Sequence, residues 1–441
     1  MTNRRITSTS CSSGGETHKG LLSIGERVEK LKPKALKALT RKILREEKAD
    51  FPYQQFLPDG ITNKRDACRY VTRIIKDKTY KYLELPVHHN YTWDSEDILD
   101  VVVKATVRHS CIEDASNSLN LRKPRKIENL DTEMESRPNG DTVLRRIKKV
   151  STVEWMDRFS RANHNLLKAL VKARVFQGFV WAALDITPWM FYGDKNTSGV
   201  MGTKRQKGSN YAFKYMTVCV TAQREHVTLA GSYMTQLMNP QKLMKELILR
   251  SLRYTNGKIG VICDREFFTV DYIKVLYELD LKFLMPAQKN SRIKKIIKET
   301  KDYPRVVRYT MGTGENNVEF SLFLVKNKKG EVHAFATNMA VDEKNAENLA
   351  EFYRNRWTIE TSYSMLSEVR ARTCSRNFSL RWFFVLFGLL VRNGYYLCNE
   401  VIIHYGHITL KTFAELTSEA KLEDISGSDD NPTGFNRNGD G

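Results

Sequence analysis

The sequence GFVWAALDITPW, residues 178–189, decides the fold class of this chain. It is a continuous apolar run that ends in an acid, Asp185, which is typical of a strand buried inside a sheet. A second apolar run, GKIGVICDREFF at residues 257–268, ends in Asp264 in the same way. An amphipathic helix at 239–253 separates the two runs. Buried strands that alternate with a helix predict an α/β fold, with a mixed sheet and flanking helices.

Further strands are predicted around this pair. KYMTVCVTA (214–222) and HVTLAGSYM (226–234) have the pattern of hairpin neighbours of the first strand, and KFLMPAQ (282–288) that of another strand. Residues 303–338 alternate apolar and polar side chains, which predicts a β-rich insertion. After that segment the sequence is helical in character through Phe413.

The composition points to a polyanionic partner and away from a membrane. Lys and Arg number 71 against 51 Asp and Glu, a formal charge of +20, and such an excess favours nucleic acid. A merely soluble basic protein stays open, because net charge speaks about association and not about fold. The most apolar segment, 382–391, is too short to span a bilayer and is predicted to be a buried helix.

The cysteines and the first residues indicate the compartment. Seven cysteines are scattered without a CxxC pair, which fits reduced thiols, and Cys219 and Cys263 lie in apolar runs as core residues would. Residues 1–20 lack the apolar core of a signal peptide. We therefore expect a cytoplasmic, nucleoid-associated protein.

The part before the first buried strand is predicted to be a helical DNA-binding region over residues 21–150, after a disordered N-terminus at 1–20. Within it, residues 96–150 have the pattern of a helix-turn-helix with an enlarged connection. The candidate recognition helix is DTVLRRIKK (141–149), with Asp141 as its cap. A solvated basic surface is the alternative. The DNA-contacting residues predicted on this helix are Arg145, Arg146, Lys148 and Lys149.

Three acids are the candidate catalytic residues. Asp185 and Asp264 each follow an apolar strand, and the carboxyl ends of strands are where open α/β sheets place their sites. Glu360 lies on a predicted helix that also carries Tyr353 and Arg356 on the same face. Converging carboxylates can hold two divalent ions for phosphodiester chemistry, and Arg356 suits a DNA phosphate. Taken singly, each acid is weak evidence, because many strands end in a solvated Asp and an Arg–Glu pair on a helix is a common surface ion pair.

These motifs carry a resemblance to a known family. YRNRWTIE (353–360) resembles the Tyr-Arg-Glu-Lys motif of the insertion-sequence-four superfamily of DDE transposases, with Tyr353, Arg356 and Glu360 in register. CDREFFT (263–269) and LDITPWMFYGDK (184–195) are similar to the blocks around its two aspartates. The segment 192–215 is similar to an archaeal subgroup. The resemblance covers about 175–395 and departs from the motif at Ser367, which occupies its Lys position.

The resemblance implies an RNase H-like DDE catalytic domain at 175–415, with the β-rich insertion at 303–338, followed by a disordered tail at 420–441. It implies a DNA transposase in which Asp185, Asp264 and Glu360 hold two Mg²⁺ or Mn²⁺ ions. The partners implied are double-stranded DNA, both terminal inverted repeats and target, and a second copy of the chain in a homodimer.

Other residues have weaker predictions. A basic loop after the first acid is expected to line the DNA channel, or to be merely solvated. Its DNA-binding candidates are Lys204, Arg205 and Lys207. The aromatic residues Tyr303, Tyr309 and Phe320 are candidates for stacking on an extruded base, although period-2 aromatics are more often core.

Three rival functions stay open at this point. The first is an RNase H-like nuclease without strand transfer. The second is a non-catalytic DNA-binding descendant of a transposase, which the departure at Ser367 keeps open. The third, a plain basic scaffold protein, leaves the two strand-terminal acids unexplained.

Overall fold

The computed structural model describes residues 63–86, 92–120, 137–173, 175–176, 178–221, 226–354, 369–402 and 406–419. The predicted disordered ends at 1–20 and 420–441 lie outside these ranges. So do three residues of the transposase-like motif, Arg356, Glu360 and Ser367.

The described chain begins with helices, as the sequence predicts. They are α1 (Lys64–Thr79), α2 (Ser95–Arg108), α3 (Ile112–Asn120), α4 (Gly140–Lys148) and α5 (Thr152–Lys172). A capping box of Asp94 and Asp97 starts α2. The predicted cap of α4 is wrong: the side chain of Asn139 accepts the hydrogen bond of the Thr142 amide, and Asp141 lies in the first turn. There its carboxylate still favours the positive end of the helix dipole.

The centre of the molecule is one mixed sheet with nine strands in the described part of the chain. The strands are β1 (Val180–Met190), β2 (Val200–Gln206), β3 (Ser209–Thr221), β4 (Thr228–Met234), β5 (Ile259–Cys263), β6 (Lys282–Pro286), β7 (Arg305–Thr313), β8 (Asn316–Lys326) and β9 (Val332–Thr337). Their order is β2-β3-β1-β5-β6-β9-β8-β7, and β4 pairs with the same edge of β3 as β2 does. The predicted α/β class is confirmed.

Two pairings differ from the sequence prediction. The strand from HVTLAGSYM, β4, pairs with β3 and not with β1. In addition, β1 does not end at Asp185 but continues to Met190, because it stays paired with β3 over its whole second half. Its parallel pairing with β5 does stop at Leu184, opposite Cys263. The apolar run ends at Asp185 because the strand loses one neighbour there.

The predicted β-rich segment forms β7, β8 and β9. These strands do not stand apart from the sheet: β9 pairs antiparallel with β6, and β8 and β7 follow it. The segment therefore widens the central sheet.

Two helices, α6 (Pro240–Leu252) and α7 (Val270–Glu278), connect parallel strands and cover one face of the sheet. They link β4 to β5 and β5 to β6, two steps in the same direction along the sheet. Right-handed crossovers then place both helices on the same face. A further helix, α8 (Ser291–Glu299), follows β6.

The opposite face carries Asp185, and two other helices pack against it. The helix α9 (Ala346–Arg354) lies over β8 and β9, and at its C-terminal end Phe352 reaches Trp181 of β1. The long helix α10 (Phe378–Val401) lies over β3 and β4, where Leu389 reaches the paired Thr217 and Gly231. The strand β1, which carries Asp185, and the strand β5, which ends just before Asp264, lie between these two helices.

The helix α10 includes the most apolar segment, 382–391, and is buried on nearly every side, as predicted. Its outer face packs on α5 through the aromatic residues Trp155, Phe159, Phe383 and Phe387. The last described helix, α11 (Leu410–Glu419), packs on α1 and α2. One continuous hydrophobic core therefore joins the N-terminal helices to the sheet. Among the described helices none is long and apolar enough to cross a membrane.

Gly388 of α10 is required by a close backbone approach. A Cβ atom at this position would lie 2.2 Å from the carbonyl oxygen of Val369. We expect Gly388→Ala to lower the free energy of unfolding by about 1–3 kcal/mol, because the overpacking outweighs the better helix propensity of Ala. Urea denaturation of the full chain measures it. The matched control is Gly394→Ala in the same helix, where the nearest atom lies 3.2 Å away. Equal stability of the two variants would contradict this packing.

Candidate active site

Asp185 and Asp264 lie side by side. The parallel register pairs Leu184 with Cys263, so that the next residue on each chain is an aspartate. Side chains of a parallel pair in register point to the same face of the sheet, so both carboxylates are on the face between α9 and α10. Both residues are half-buried. The structure thus brings together two of the three predicted acids; Glu360 lies outside the described residues.

Each aspartate has a local hydrogen-bond partner. The hydroxyl of Thr187 donates to Oδ2 of Asp185 over 2.8 Å. Asp264 caps the short 3-10 turn Arg265–Phe267, and its Oδ1 accepts the Arg265 amide over 2.7 Å. The sheet therefore holds Asp185 in place, and the 3-10 turn holds Asp264 in place.

A third carboxylate, Glu266, was not predicted from the sequence. Loss of solvent around its carboxyl group, and then the negative charges of Asp185 and Asp264, raise the pKa of Glu266 to about 7. Lys214 and Lys204 oppose this rise. The three carboxylates therefore lie near enough to one another to interact electrostatically, although the Glu266 side chain is exposed. The spacing Asp-x-Glu after a buried strand was the signal in the sequence.

The helix α9 brings Tyr353 to this site. The Tyr353 hydroxyl donates to the carbonyl oxygen of Cys263 over 3.3 Å, directly before Asp264. Its ring packs on Phe335, and the residue is half-buried. Tyr353 thus fastens the C-terminal end of α9 to the end of β5. Arg356, the other predicted DNA contact of this motif, lies outside the described residues.

The predicted basic loop is a β-hairpin between β2 and β3. Lys207 and Gly208 both have positive φ, 47° and 85°, as a tight two-residue turn of the primed type requires. Lys204, Arg205 and Lys207 are exposed. Lys204 lies close enough to Glu266 to lower the pKa of its carboxyl group. The hairpin therefore places positive charge beside the carboxylates.

The basic residues of the predicted recognition helix, α4, differ in their exposure to solvent. Arg145, Lys148 and Lys149 are exposed. Arg146 is only 4% exposed, and its guanidinium donates to the carbonyl oxygen of Trp93 over 2.7 Å. In the structure Arg146 therefore holds α4 to the preceding helices, and it differs in this from the DNA contact that we predicted.

The aromatic residues of the β-rich segment do not form a stacking platform. Tyr309 and Phe320 are each 3% exposed and pack against one another across β7 and β8. The Tyr303 hydroxyl donates to the Ile297 carbonyl, and its ring is half-buried. The base-stacking hypothesis is wrong for the two buried rings, because these side chains belong to the core.

Hard divalent cations prefer carboxylate oxygens, so the chemistry of Asp185 and Asp264 fits such an ion. Within the described ranges no group of three or more His, Cys, Asp or Glu residues has the geometry of a metal site. Together the sheet and this pair define an α/β enzyme with acidic groups at the carboxyl end of its central parallel strands.

Comparison with known proteins agrees with this class. Residues 182–393, just under half of the chain, match the family model described as Transposase DDE domain. The fold is similar to that of piggyBac transposase in the cryo-EM structure of its synaptic complex with hairpin DNA. The TM-score is 0.54 at 12% identity, over 84% of this chain and 83% of that chain, so this likeness concerns the fold. None of the curated proteins matches the sequence.

The match to this family model supports a DNA transposase, an enzyme of the nuclease and transposase class. DDE transposases generally use divalent metal ions.

The two neighbouring arginines of α4 give a stability prediction. Arg146→Ala leaves the Trp93 carbonyl without its charged donor and should lower the free energy of unfolding by about 2 kcal/mol. Arg145→Ala, on the exposed side of the same helix, should change it by less than about 0.5 kcal/mol. Chemical denaturation of the two variants measures the difference, and equal effects would contradict the division of roles on α4.

Proposed function

We propose that this chain cleaves DNA at the ends of a transposon and joins the freed strand to target DNA, with Asp185, Asp264 and Glu360 as its catalytic triad. The observation that carries the proposal is the in-register placement of Asp185 and Asp264 on neighbouring parallel strands. Two charged carboxylates at the strand spacing of about 4.8 Å repel each other, and such an arrangement is maintained where a cation offsets the repulsion.

The ends of the segment that carries Glu360 support its assignment. Before the segment, Tyr353 is bonded to the carbonyl of Cys263, next to Asp264. After it, the Arg370 guanidinium lies 3.6 Å from the centre of the Trp189 ring, which belongs to β1. The chain thus leaves one aspartate strand and returns to the other. We infer that Glu360 completes the carboxylate set between them.

The proposed ions are two Mg²⁺ or Mn²⁺, held by Asp185, Asp264 and Glu360. When bound, such ions activate water and stabilise the leaving oxygen of a phosphodiester. The chain itself positions the carboxylates: Thr187 orients Asp185, and the backbone amide of Arg265 orients Asp264. In the first step water attacks phosphorus and the bond to the 3′ oxygen breaks, which leaves a free 3′-OH. In the second step that hydroxyl attacks a target phosphodiester in line.

The exposed cations provide the proposed DNA interface. We propose that Lys204, Arg205 and Lys207 on the β2–β3 hairpin contact the DNA strand that enters the site, and that Tyr353 and Arg356 bind the DNA near the scissile phosphate. Arg145, Lys148 and Lys149 on α4 are the proposed contacts of the N-terminal region, residues 21–150. The catalytic domain is proposed to span 175–415. Lys and Arg contacts of this kind supply affinity by counterion release.

We further propose that two copies of the chain hold the two terminal inverted repeats together, as a homodimer, while one target DNA is joined. The motif at 353–360 supports a placement in the insertion-sequence-four superfamily, with 192–215 indicating its archaeal subgroup. A nuclease that cuts without joining, or a descendant that only binds DNA, is distinguished by the products of the same reaction.

Substitution of Asp264 tests the triad. Asp264→Asn keeps the shape of the side chain and its cap on the 3-10 turn but removes the charge that would hold the ion, so strand cleavage should fall by more than about a hundredfold. Binding of the end DNA should remain. The assay follows nicked and joined products of a labelled transposon end in Mg²⁺, with EDTA as the metal-free reference.

Asp271→Asn is the matched control, because Asp271 is exposed on the first turn of α7. It should cleave like the unsubstituted protein. Undiminished cleavage by Asp264→Asn would contradict the triad. Metal-dependent cuts without joined products would identify the nuclease, and a bound but uncut end under every metal condition would identify the binding-only descendant.

The basic hairpin is tested by its salt dependence. Replacement of Lys204, Arg205 and Lys207 by Gln should weaken binding of end DNA and reduce the slope of log affinity against log salt by about 1 to 3. The control removes the same charge from Arg253, Lys258 and Lys282, which are exposed near the amino ends of β5 and β6, at the opposite end of the strands from Asp185 and Asp264. An unchanged slope in the hairpin variant would exclude the hairpin from the interface.

A further inference from the structure

A second basic hairpin connects β8 to β9. Lys326 is the last residue of β8, and Lys328 and Lys329 lie in the turn at 327–331. All three lysine side chains are exposed. Within the described part of the chain none of them forms an ion pair with an acid. The hairpin therefore carries positive charge that the protein itself does not neutralise.

Hydrogen bonds fix the shape of this turn. Oδ1 of Asn327 accepts from the backbone amides of Lys329 and Glu331, each over 2.9 Å. Gly330 has a φ of 81°, and its amide donates to the Asn327 carbonyl over 3.0 Å. The carboxylate of Glu331 accepts from Nδ2 of Asn327 over 2.7 Å. The lysines thus project from an ordered backbone, and the acid of the turn is bonded to an amide.

The strand registers place this hairpin at the same edge of the sheet as the carboxylates. Strands β5 and β6 pair in parallel, and Pro286 of β6 pairs with Phe335 of β9. Continued by two residues beyond its last pair, the β5–β6 register brings Asp264 level with Pro286. Residues 332–334 of β9 then extend beyond Asp264 by about 10 Å before the turn begins. The sheet order puts the β2–β3 hairpin on the other side of the carboxylates.

The two basic hairpins point in different directions. Five strand-to-strand steps separate β2 from β9 in the sheet order. At about 4.8 Å a step, the two hairpins leave the sheet about 24 Å apart. Neighbouring strands are rotated by about 20°, so five steps turn one hairpin by roughly 100° relative to the other. Such an arrangement suits two separate duplexes that meet at Asp185 and Asp264, one along each hairpin.

The chemistry of the β8–β9 hairpin favours one of the possible duplexes. Lysine is a flexible point charge, and its contacts with phosphates carry no sequence information. DNA that flanks the transposon is continuous with the bound end, so it is present at a high effective concentration without a surface of its own. Target DNA is a separate molecule, and the protein must capture it through its own affinity.

We propose that the β8–β9 hairpin binds the phosphate backbone of the target DNA through Lys326, Lys328 and Lys329. This inference rests on the proposed function, because it assumes that strands are joined at Asp185 and Asp264. The β2–β3 hairpin holds the transposon end, and the β8–β9 hairpin holds the duplex that the freed 3′-OH attacks.

Replacement of Lys326, Lys328 and Lys329 by Gln tests this role in the full chain. The assay supplies a precleaved transposon end with a free 3′-OH, a separate plasmid as target and Mg²⁺, and it follows joined products. At limiting target the variant should join at least about tenfold less, because three phosphate contacts are lost. The slope of log affinity for the target against log salt should fall by about 1 to 3. Cleavage of an uncut end should be unchanged.

A second variant separates charge from packing. Lys326 also lies over the Tyr303 ring, 4.5 Å from its centre, so its replacement removes a contact within the protein. The double variant Lys328→Gln, Lys329→Gln keeps that contact and should still lose joining, and excess target should restore it. The control loses the same charge as the triple variant and should join normally. It replaces by Gln three exposed cations at the opposite end of the strands, Arg253, Lys258 and Lys282.

The outcomes separate this inference from the proposed function. If the hairpin variants join normally while Asp264→Asn abolishes cleavage, the triad stands and the role of the hairpin is overturned. If the hairpin variants lose cleavage and joining equally, the hairpin binds the transposon end or its flank, and its assignment to the target is overturned. If Asp264→Asn cleaves normally, the proposed function itself fails, whatever the hairpin variants do.

Discussion

The parallel pairing of β1 with β5 is the constraint on which the rest of the site depends. It ends at Leu184 and Cys263, and so presents Asp185 and Asp264 to the same face at the same level. Backbone hydrogen bonds keep the two strands together although the carboxylates repel each other. The helices on this face, α9 and α10, then pack to either side of the acids. The Tyr353 hydroxyl donates to the Cys263 carbonyl, and the Arg370 guanidinium stacks on the Trp189 ring of β1, so the segments that carry these residues are held at the two strands.

The sequence predicts the strands and the acids well, because both depend on local pattern. An apolar run signals burial, and an acid at its end signals the point where burial stops. The pattern does not report which strand lies alongside, so the continuation of β1 to Met190 and the pairing of β4 with β3 were missed. Thr187 lies two residues after Asp185, on the same face of the strand, so its contact with Asp185 could have been predicted from the sequence. The contact of Arg370 with Trp189 could not be predicted, because it joins residues that are far apart in the sequence.

The count of basic residues was the sequence feature that told us least about the surface of the folded protein. Lys76, Arg146, Arg381 and Arg392 count toward the basic total but are buried. Arg146 donates to a backbone carbonyl, and Arg392 lies 3.3 Å from the Cys219 thiol and bonds the His226 carbonyl. Such cations stabilise the interior and offer nothing to a polyanion. Composition cannot separate them from exposed groups such as Lys204 and Lys148, since the two kinds differ only in their tertiary surroundings.

The packing of α11 on α1 and α2 has a consequence for the folding of the chain during its synthesis. The apolar side of these first helices is completed by α10 and α11, which are synthesised more than two hundred residues later. Contacts of such long sequence separation form slowly, and exposed apolar surface invites self-association until they do. The N-terminal helices of the nascent chain therefore keep apolar surface exposed until α10 and α11 have been synthesised.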